Sequence, residues 1–270
     1  MNAKAAALPE ATILFEDVTY SINGNSSHAI IDSISLEIHA GETLVLLGRS
    51  GSGKTTLLKL INRLLLAEKG EVRVQGRSTA QWDTIRLRRG IGYVIQEGGL
   101  FPHFTVAQNI GLVPTLEKWD ASRIARRVDE LLNLVGLDSR EFSARYPHEL
   151  SGGQRQRVGV ARALAADPPI LLMDEHFGAL DPVTRAELQR EFSSLARRLG
   201  KTIVFVTHDL REALLLASRV VLMQSGRIVA SAKPQEFLQI DHPEVEAFAA
   251  SLSTFNGTGA ARDAVPGVSA

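Results

Sequence analysis

The sequence predicts an α/β fold with three parts: a mainly parallel core sheet, an antiparallel β subdomain ahead of it, and an α-helical subdomain inserted into it. Three observations predict this. An apolar strand candidate, TLVLL at 43–47, runs straight into a glycine-rich loop and then into a run with helical apolar spacing. Short apolar runs recur afterwards with helical patterns between them, the alternation that builds parallel sheets. More than seventy mainly helical residues separate the strand candidates at 91–95 and 169–173, too many for an ordinary crossover.

In chain order, residues 1–12 are rich in Ala without periodicity and read as a frayed tail. β-type runs follow at 13–22 (ILFEDVTYSI) and 29–38 (AIIDSISLEI), set apart by Asn, Gly and Ser clusters that make turns. They predict an antiparallel edge sheet. From Lys54 to Leu66, residues Leu57, Leu58, Leu60, Ile61, Leu64 and Leu65 keep helical spacing, which predicts a helix starting where the glycine loop ends. Further strands are predicted at 71–74, 91–95, 169–173, 202–206, 219–223 and 227–230. Helices are predicted at 121–135 and 154–166, within a helical subdomain placed at about 97–160. The folded unit is read as 13–250, and 253–270, rich in Gly and Ala, as a second tail.

Composition narrows the function. The 270 residues are 44% hydrophobic and 22% charged, close to the globular average, which argues against a disordered chain or a coiled coil. The 30 Lys+Arg cancel the 30 Asp+Glu, so there is no global cationic field to hold nucleic acid or an anionic membrane. Cysteine is absent, which excludes disulfides, thiolate metal sites and a cysteine nucleophile, and points to a reducing compartment. No run of about 18 apolar residues occurs, and the opening residues, with a Pro and acids, are a poor signal peptide.

Three motifs carry the chemistry. GRSGSGKT at 48–55, entered from a strand and left by a helix, matches the phosphate-binding P-loop in the context the pattern requires. Gly48, Gly51 and Gly53 let the backbone of Arg49, Ser50 and Ser52 turn its N–H groups inward, and the following helix adds its positive end. Lys54 would reach the β- and γ-phosphates, Thr55 would offer a hydroxyl to Mg²⁺, and Thr56 belongs to the same first turn. ILLMDE at 170–175 is an apolar strand ending in two acids. Asp174 suits the coordination sphere of a hard cation, and Glu175 is placed to polarise an attacking water. LSGGQRQR at 150–157 puts Ser151, Gly152, Gly153 and Gln154 at the start of an amphipathic helix whose N-terminus can bind anionic oxygen.

A P-loop together with LSGGQ resembles the ATP-binding cassette (ABC) family over about residues 13–250. The resemblance implies a P-loop NTPase core of the RecA-like kind, with ATP and Mg²⁺ as cofactors. It implies that Tyr20 stacks on adenine and that Gln96 touches Mg²⁺ and the attacking water. It also implies that Asp181 contacts the opposite subunit and that His208 hydrogen-bonds the γ-phosphate. With one P-loop and one LSGGQ per chain, two copies arranged head to tail complete two composite sites, so the expected working unit is a homodimer.

The segments IGYVIQEGGLFPHFTVAQNIGLVP, YPHELSGGQRQRVGVARALAADPPILLMDE and FGALDPVTR look like the importer branch, closest to osmoprotectant and quaternary-amine uptake systems. That branch implies a separate integral-membrane permease, a solute-binding protein or domain, and a cytoplasmic place on the inner face of the membrane. Residues 97–116, with Leu100, Phe101, Pro102, Phe104 and Val106, are the candidate groove for a permease helix. Two departures stand out: His176 occupies a position where the pattern usually has Pro, and no paired regulatory repeats follow residue 250.

A lipid-transport or export cassette is the alternative within the same class. A non-transport cassette would carry a long coiled-coil insertion or a second cassette, and a GTPase would carry NKxD; none of these is present. Arg155, Arg157 and Arg162 raise a nucleic-acid reading, which the zero net charge and the lack of interleaved aromatics oppose.

Overall fold

A computed structural model describes residues 11–22, 29–95, 99–175 and 181–254. Strands β1 (Ala11–Ser21), β2 (Ala29–His39) and β3 (Thr43–Leu47) lead into helix α1 (Lys54–Ile61), and β4 (Lys69–Val74) and β5 (Arg77–Ser78) follow. Helix α2 (Thr84–Arg89) precedes β6 (Ile91–Val94). Helices α3 (Val106–Leu116), α4 (Ala121–Leu134), α5 (Ser139–Phe142) and α6 (Gly152–Leu164) then run without an intervening strand among the described residues. The chain continues through β7 (Ile170–Asp174), α7 (Pro182–Leu199), β8 (Thr202–Thr207) and α8 (Leu210–Leu216). It closes with β9 (Arg219–Gln224), β10 (Arg227–Ala232), α9 (Pro234–Phe237) and α10 (Pro243–Thr254).

Two sheets result. The first is antiparallel, in the order β2-β1-β4-β5, and the second runs β10-β9-β3-β8-β7-β6, parallel except where β10 turns back on β9. Strands β3, β7 and β8 are continuous apolar runs because both of their faces are covered. Val45, Leu47, Met173 and Phe205 point into a core shared with α3, α4, α6 and α7. Leu44, Leu46, Leu172 and Val204 point the other way, onto α1 and the antiparallel sheet. The inserted helices therefore rest on one face of the parallel sheet and the antiparallel subdomain on the other.

Some boundaries differ from the sequence reading. The helix expected over 54–66 stops at Ile61. Asn62 Oδ1 accepts a hydrogen bond from Leu64 N (3.1 Å), Arg63 takes a left-handed φ of 54°, and the Arg63 guanidinium is held by Trp82 O and Thr84 Oγ1. This local turn ends a pattern whose spacing alone would have continued. Ala11 of β1 pairs with His39 of β2, and Ser253 and Thr254 belong to α10, so regular structure reaches into both segments read as tails. Val106, expected in an exposed groove, is fully buried at the start of α3 and packs into the first core. Its neighbour Phe101 stays 42% exposed.

Candidate functional site

Strands β3, β8 and β7 lie side by side, with Leu47 level with Thr207 and Val206 level with Asp174. Their carboxyl ends thus bring the Gly48–Thr55 loop, His208 and the Asp174–Glu175 pair to one edge of the sheet, where parallel α/β sheets bind ligands. These segments are far apart in sequence; the strand order alone makes them neighbours.

The loop is built as a cradle. A Cβ on Gly48 would run into the carbonyl oxygen of Met223, and one on Gly53 would lie 2.8 Å from the carbonyl oxygen of Ile30. Gly53 also needs its φ of 103°, which side chains seldom adopt. It caps α1 without a side-chain acceptor, whereas Thr105, Asp120, Ser151, Asp181 and Asp209 cap their helices with an oxygen. The first N–H groups of α1 are thereby left to an external anion.

Lys54 is only 4% exposed, and its Nζ donates to the carbonyl oxygens of Gly48 (2.8 Å) and Arg49 (2.8 Å). Burial holds its pKa below the usual lysine range, against the opposing pull of Glu175 and Asp174. Thr55 Oγ1 donates to Asp174 Oδ1 at 2.9 Å. Burial pushes the Asp174 carboxyl up, the Thr55 bond holds it down, and the nearby Glu175 charge adds to the rise. Two hard oxygen donors of this kind fit a divalent cation such as Mg²⁺, and the uncapped helix start fits a phosphate chain.

Glu175 takes a φ of 41°, a strained conformation for a non-glycine residue, and its N–H is fixed to Val206 O at 3.1 Å. Its Oε1 lies 3.5 Å from His208 Nδ1. The arrangement sets an acid and an imidazole side by side next to the loop.

Around this cluster stand residues that the sequence reading passed over. Tyr93 of β6 is pushed up to about 12, first by burial and then by the adjacent Asp174 charge, onto which its hydroxyl is hydrogen-bonded. Glu244 of α10 holds Arg49, with Nε at 2.6 Å, beside a cavity of about 440 Å³ bordered by Arg49, Ser50, Gly51 and Ser52. Asn109 of α3 bonds the backbone of Phe101, Phe104 and Thr105, and so shapes the loop before α3. No local pattern marks Tyr93 and Glu244, because each acts across a long stretch of sequence.

The LSGGQ segment forms a separate feature. Ser151 caps α6 in a closed capping box: Gln154 N donates to Ser151 Oγ (3.2 Å), and Ser151 N donates to Gln154 Oε1 (2.8 Å). A Cβ on Gly153 would come within 3.2 Å of Thr184, so this helix start sits against the start of α7. Asp181 caps α7, and its hydrogen bond with the Thr184 side chain holds its carboxyl below the usual range. Arg155, Arg157 and Arg162 bond the carbonyls of Leu150, Val135 and Gly99, and Arg157 also pairs with Glu191 at 2.6 Å. Tyr20 is half-buried in β1 opposite Ile31, and Thr56 is half-buried in α1. Gln96 and His176 lie outside the described residues.

Comparison with known proteins agrees with this architecture. The sequence profile of the ABC transporter family matches residues 31–178. The osmoprotectant import ATP-binding protein OsmV of Salmonella typhimurium is 51% identical over 208 residues, 77% of this chain and 54% of that protein. The glycine betaine/carnitine/choline transport ATP-binding protein OpuCA of Bacillus subtilis is 54% identical over 77% of this chain and 55% of its own length. The glycine betaine uptake system ATP-binding protein YehX of Escherichia coli is 55% identical over 77% and 67%. The chain spans about half the length of the first two of these curated relatives.

Among solved structures, the cassette MJ0796, in a dimeric post-hydrolysis state bound to ADP and Pi, superposes with a TM-score of 0.72. It is 34% identical, and the match covers 82% of this chain and 98% of that one. CbiO1 of Clostridium perfringens, from the cbiONQ transporter complex, gives a TM-score of 0.77 at 27% identity over 92% and 95%. No helix of the described residues is long and apolar enough to cross a membrane. A profile match over more than half the chain, on a sheet that gathers the same motifs at one edge, places it in the ABC transporter family.

Proposed function

We propose that this chain is the ATP-hydrolysing subunit of an importer. In this reading two copies pair head to tail, and ATP binding and hydrolysis drive uptake of a small solute through a separate membrane permease. The convergence of the P-loop, the Asp174–Glu175 pair and His208 at the ends of three adjacent strands is the observation that supports it best. The solute class, a quaternary-amine osmoprotectant such as glycine betaine, choline or carnitine, rests on the relatives at 49–55% identity.

The proposed residue roles combine the geometry of the site with what the family resemblance implies. The backbone from Gly48 to Gly53 and the uncapped start of α1 bind the phosphate chain, and Lys54 swings from its loop carbonyls onto the terminal phosphates. Thr55 and Asp174 would hold Mg²⁺, joined by Gln96 as the family resemblance implies, and the ion would supply positive charge to offset that of the phosphates. Glu175 accepts the proton of the attacking water, and His208 holds the γ-phosphate while steadying the Glu175 carboxylate. Tyr20 stacks on adenine. Ser151, Gly152, Gly153 and Gln154 of one copy close over the nucleotide of the other, and Asp181 meets the partner beside them.

The permease is proposed to dock on the helical subdomain. Between α3 and α4 lies an apolar groove of about 570 Å³ lined by Phe104, Ala107, Gly111, Leu112, Ile124 and Val128. Phe101 and Pro102 stay exposed in the loop before α3. The assembly then sits on the cytoplasmic side of the membrane with a solute-binding protein or domain on the other. The test is uptake into proteoliposomes containing the chain, its permease and internal Mg-ATP. Labelled glycine betaine or choline accumulates and sulfate does not; ATP-independent uptake would overturn the reading.

A further inference from the structure

Glu212 of α8 is only 6% exposed, and its carboxylate has no part in the chemistry described above. Burying a carboxylate is costly unless donors compensate. Here two do: Thr207 Oγ1 donates to Glu212 Oε2 at 2.5 Å, and Gln189 Nε2 donates to Glu212 Oε1 at 2.6 Å. Thr207 is also the acceptor for the N–H of Asp209, at 2.9 Å. The hydroxyl therefore accepts from Asp209, the residue after His208, and donates to Glu212 in the helix that follows. Burial pushes the Glu212 carboxyl up, and the Thr207 bond holds it down.

Two of the three elements joined here, β8 and α7, carry the groups proposed to react or to face a partner. Thr207 ends β8 and directly precedes His208, whose Nδ1 faces Glu175. Gln189 lies on α7, the helix that Asp181 opens and against whose first turn the LSGGQ cap rests. We infer that Glu212 is a positioning residue: it locks the turn that carries His208 to the helix that carries Asp181, so that the histidine is held against Glu175 only when α7 is seated. The inference rests on the proposed ATPase activity. It differs from simple core satisfaction in predicting a loss that runs through His208.

Glu212→Gln keeps the shape but turns one of two acceptor oxygens into an NH2 donor, so either Thr207 or Gln189 loses its acceptor and must reorient. Thr207→Val removes the same link without changing side-chain volume, and Thr207→Ser restores it. The assay is single-turnover and steady-state ATP hydrolysis by the full chain with Mg²⁺, beside fluorescent-nucleotide titration and thermal unfolding. Glu212→Gln and Thr207→Val are each expected to lower kcat by about 10–100-fold, the usual effect of removing an orienting partner, with nucleotide affinity unchanged and Thr207→Ser near wild type.

Adding Glu212→Gln to His208→Ala is expected to cost nothing further, because both changes break one chain of contacts. Wild-type kcat in both Glu212→Gln and Thr207→Val, or a fully additive loss in the double variant, would overturn the inference. The wild-type rate, measured first, tests the activity reading separately. If Glu212→Gln unfolds, the Thr207 pair carries the same test.

Discussion

Replacing Glu175 by Gln separates two effects of different size. In the general-base role, loss of the carboxylate lowers turnover by about 10²–10⁴, which is about 3–5 kcal/mol on the barrier. The structural cost is much smaller. The contact with His208 spans 3.5 Å and the histidine side chain is 61% exposed, so solvent screens the pair to about 0–1 kcal/mol of stability. Gln has the same shape, keeps the N–H bond to Val206 and meets the same φ of 41°, so the backbone strain is unchanged. The kinetic effect should therefore win by several kcal/mol, with the unfolding midpoint moving by no more than about 2–4 °C. Phosphate release and nucleotide retention measured on the same preparation decide the matter. A variant that releases phosphate near the wild-type rate refutes the assignment, as does one that stops only because it no longer binds ATP.

Three further outcomes are expected. Mixing a Lys54→Ala chain with a Ser151→Arg chain restores hydrolysis, because in the mixed dimer both lesions fall in one composite site; either homodimer alone is inactive, and activity at dilutions where sedimentation shows only monomer would contradict this. Tyr20→Ala weakens ATP binding by about two- to tenfold, from the loss of about 0.5–1.5 kcal/mol of stacking, while Tyr20→Phe binds like wild type in the same titration. Leu172→Ala in fully buried β7 costs about 2–5 kcal/mol by denaturant unfolding; a smaller shift would mean that the sheet closes over the cavity.

The sequence by itself determined the chemistry-bearing pieces. The P-loop, the acidic strand end and LSGGQ are contiguous, and each depends on local backbone: glycines where a side chain would collide, a strand entering, a helix leaving. The strands of the core were legible too, because a strand covered on both faces must be an unbroken apolar run. Period alone overextended α1, since the turn at Arg63 is held by Trp82 and Thr84 from a later segment. It also left Val106 looking exposed, because the helical face that turns inward depends on where α4 and α6 pack.

Tertiary structure decided which pieces meet. The order β3-β8-β7 seats Thr55 on Asp174 and Glu175 beside His208, and no spacing in the chain encodes that order. The same holds for Tyr93 on Asp174, Glu244 on Arg49 and Glu212 between Thr207 and Gln189. A buried polar group is recognised by its partners, and those partners come from strands and helices that only the packed sheet brings within hydrogen-bonding distance.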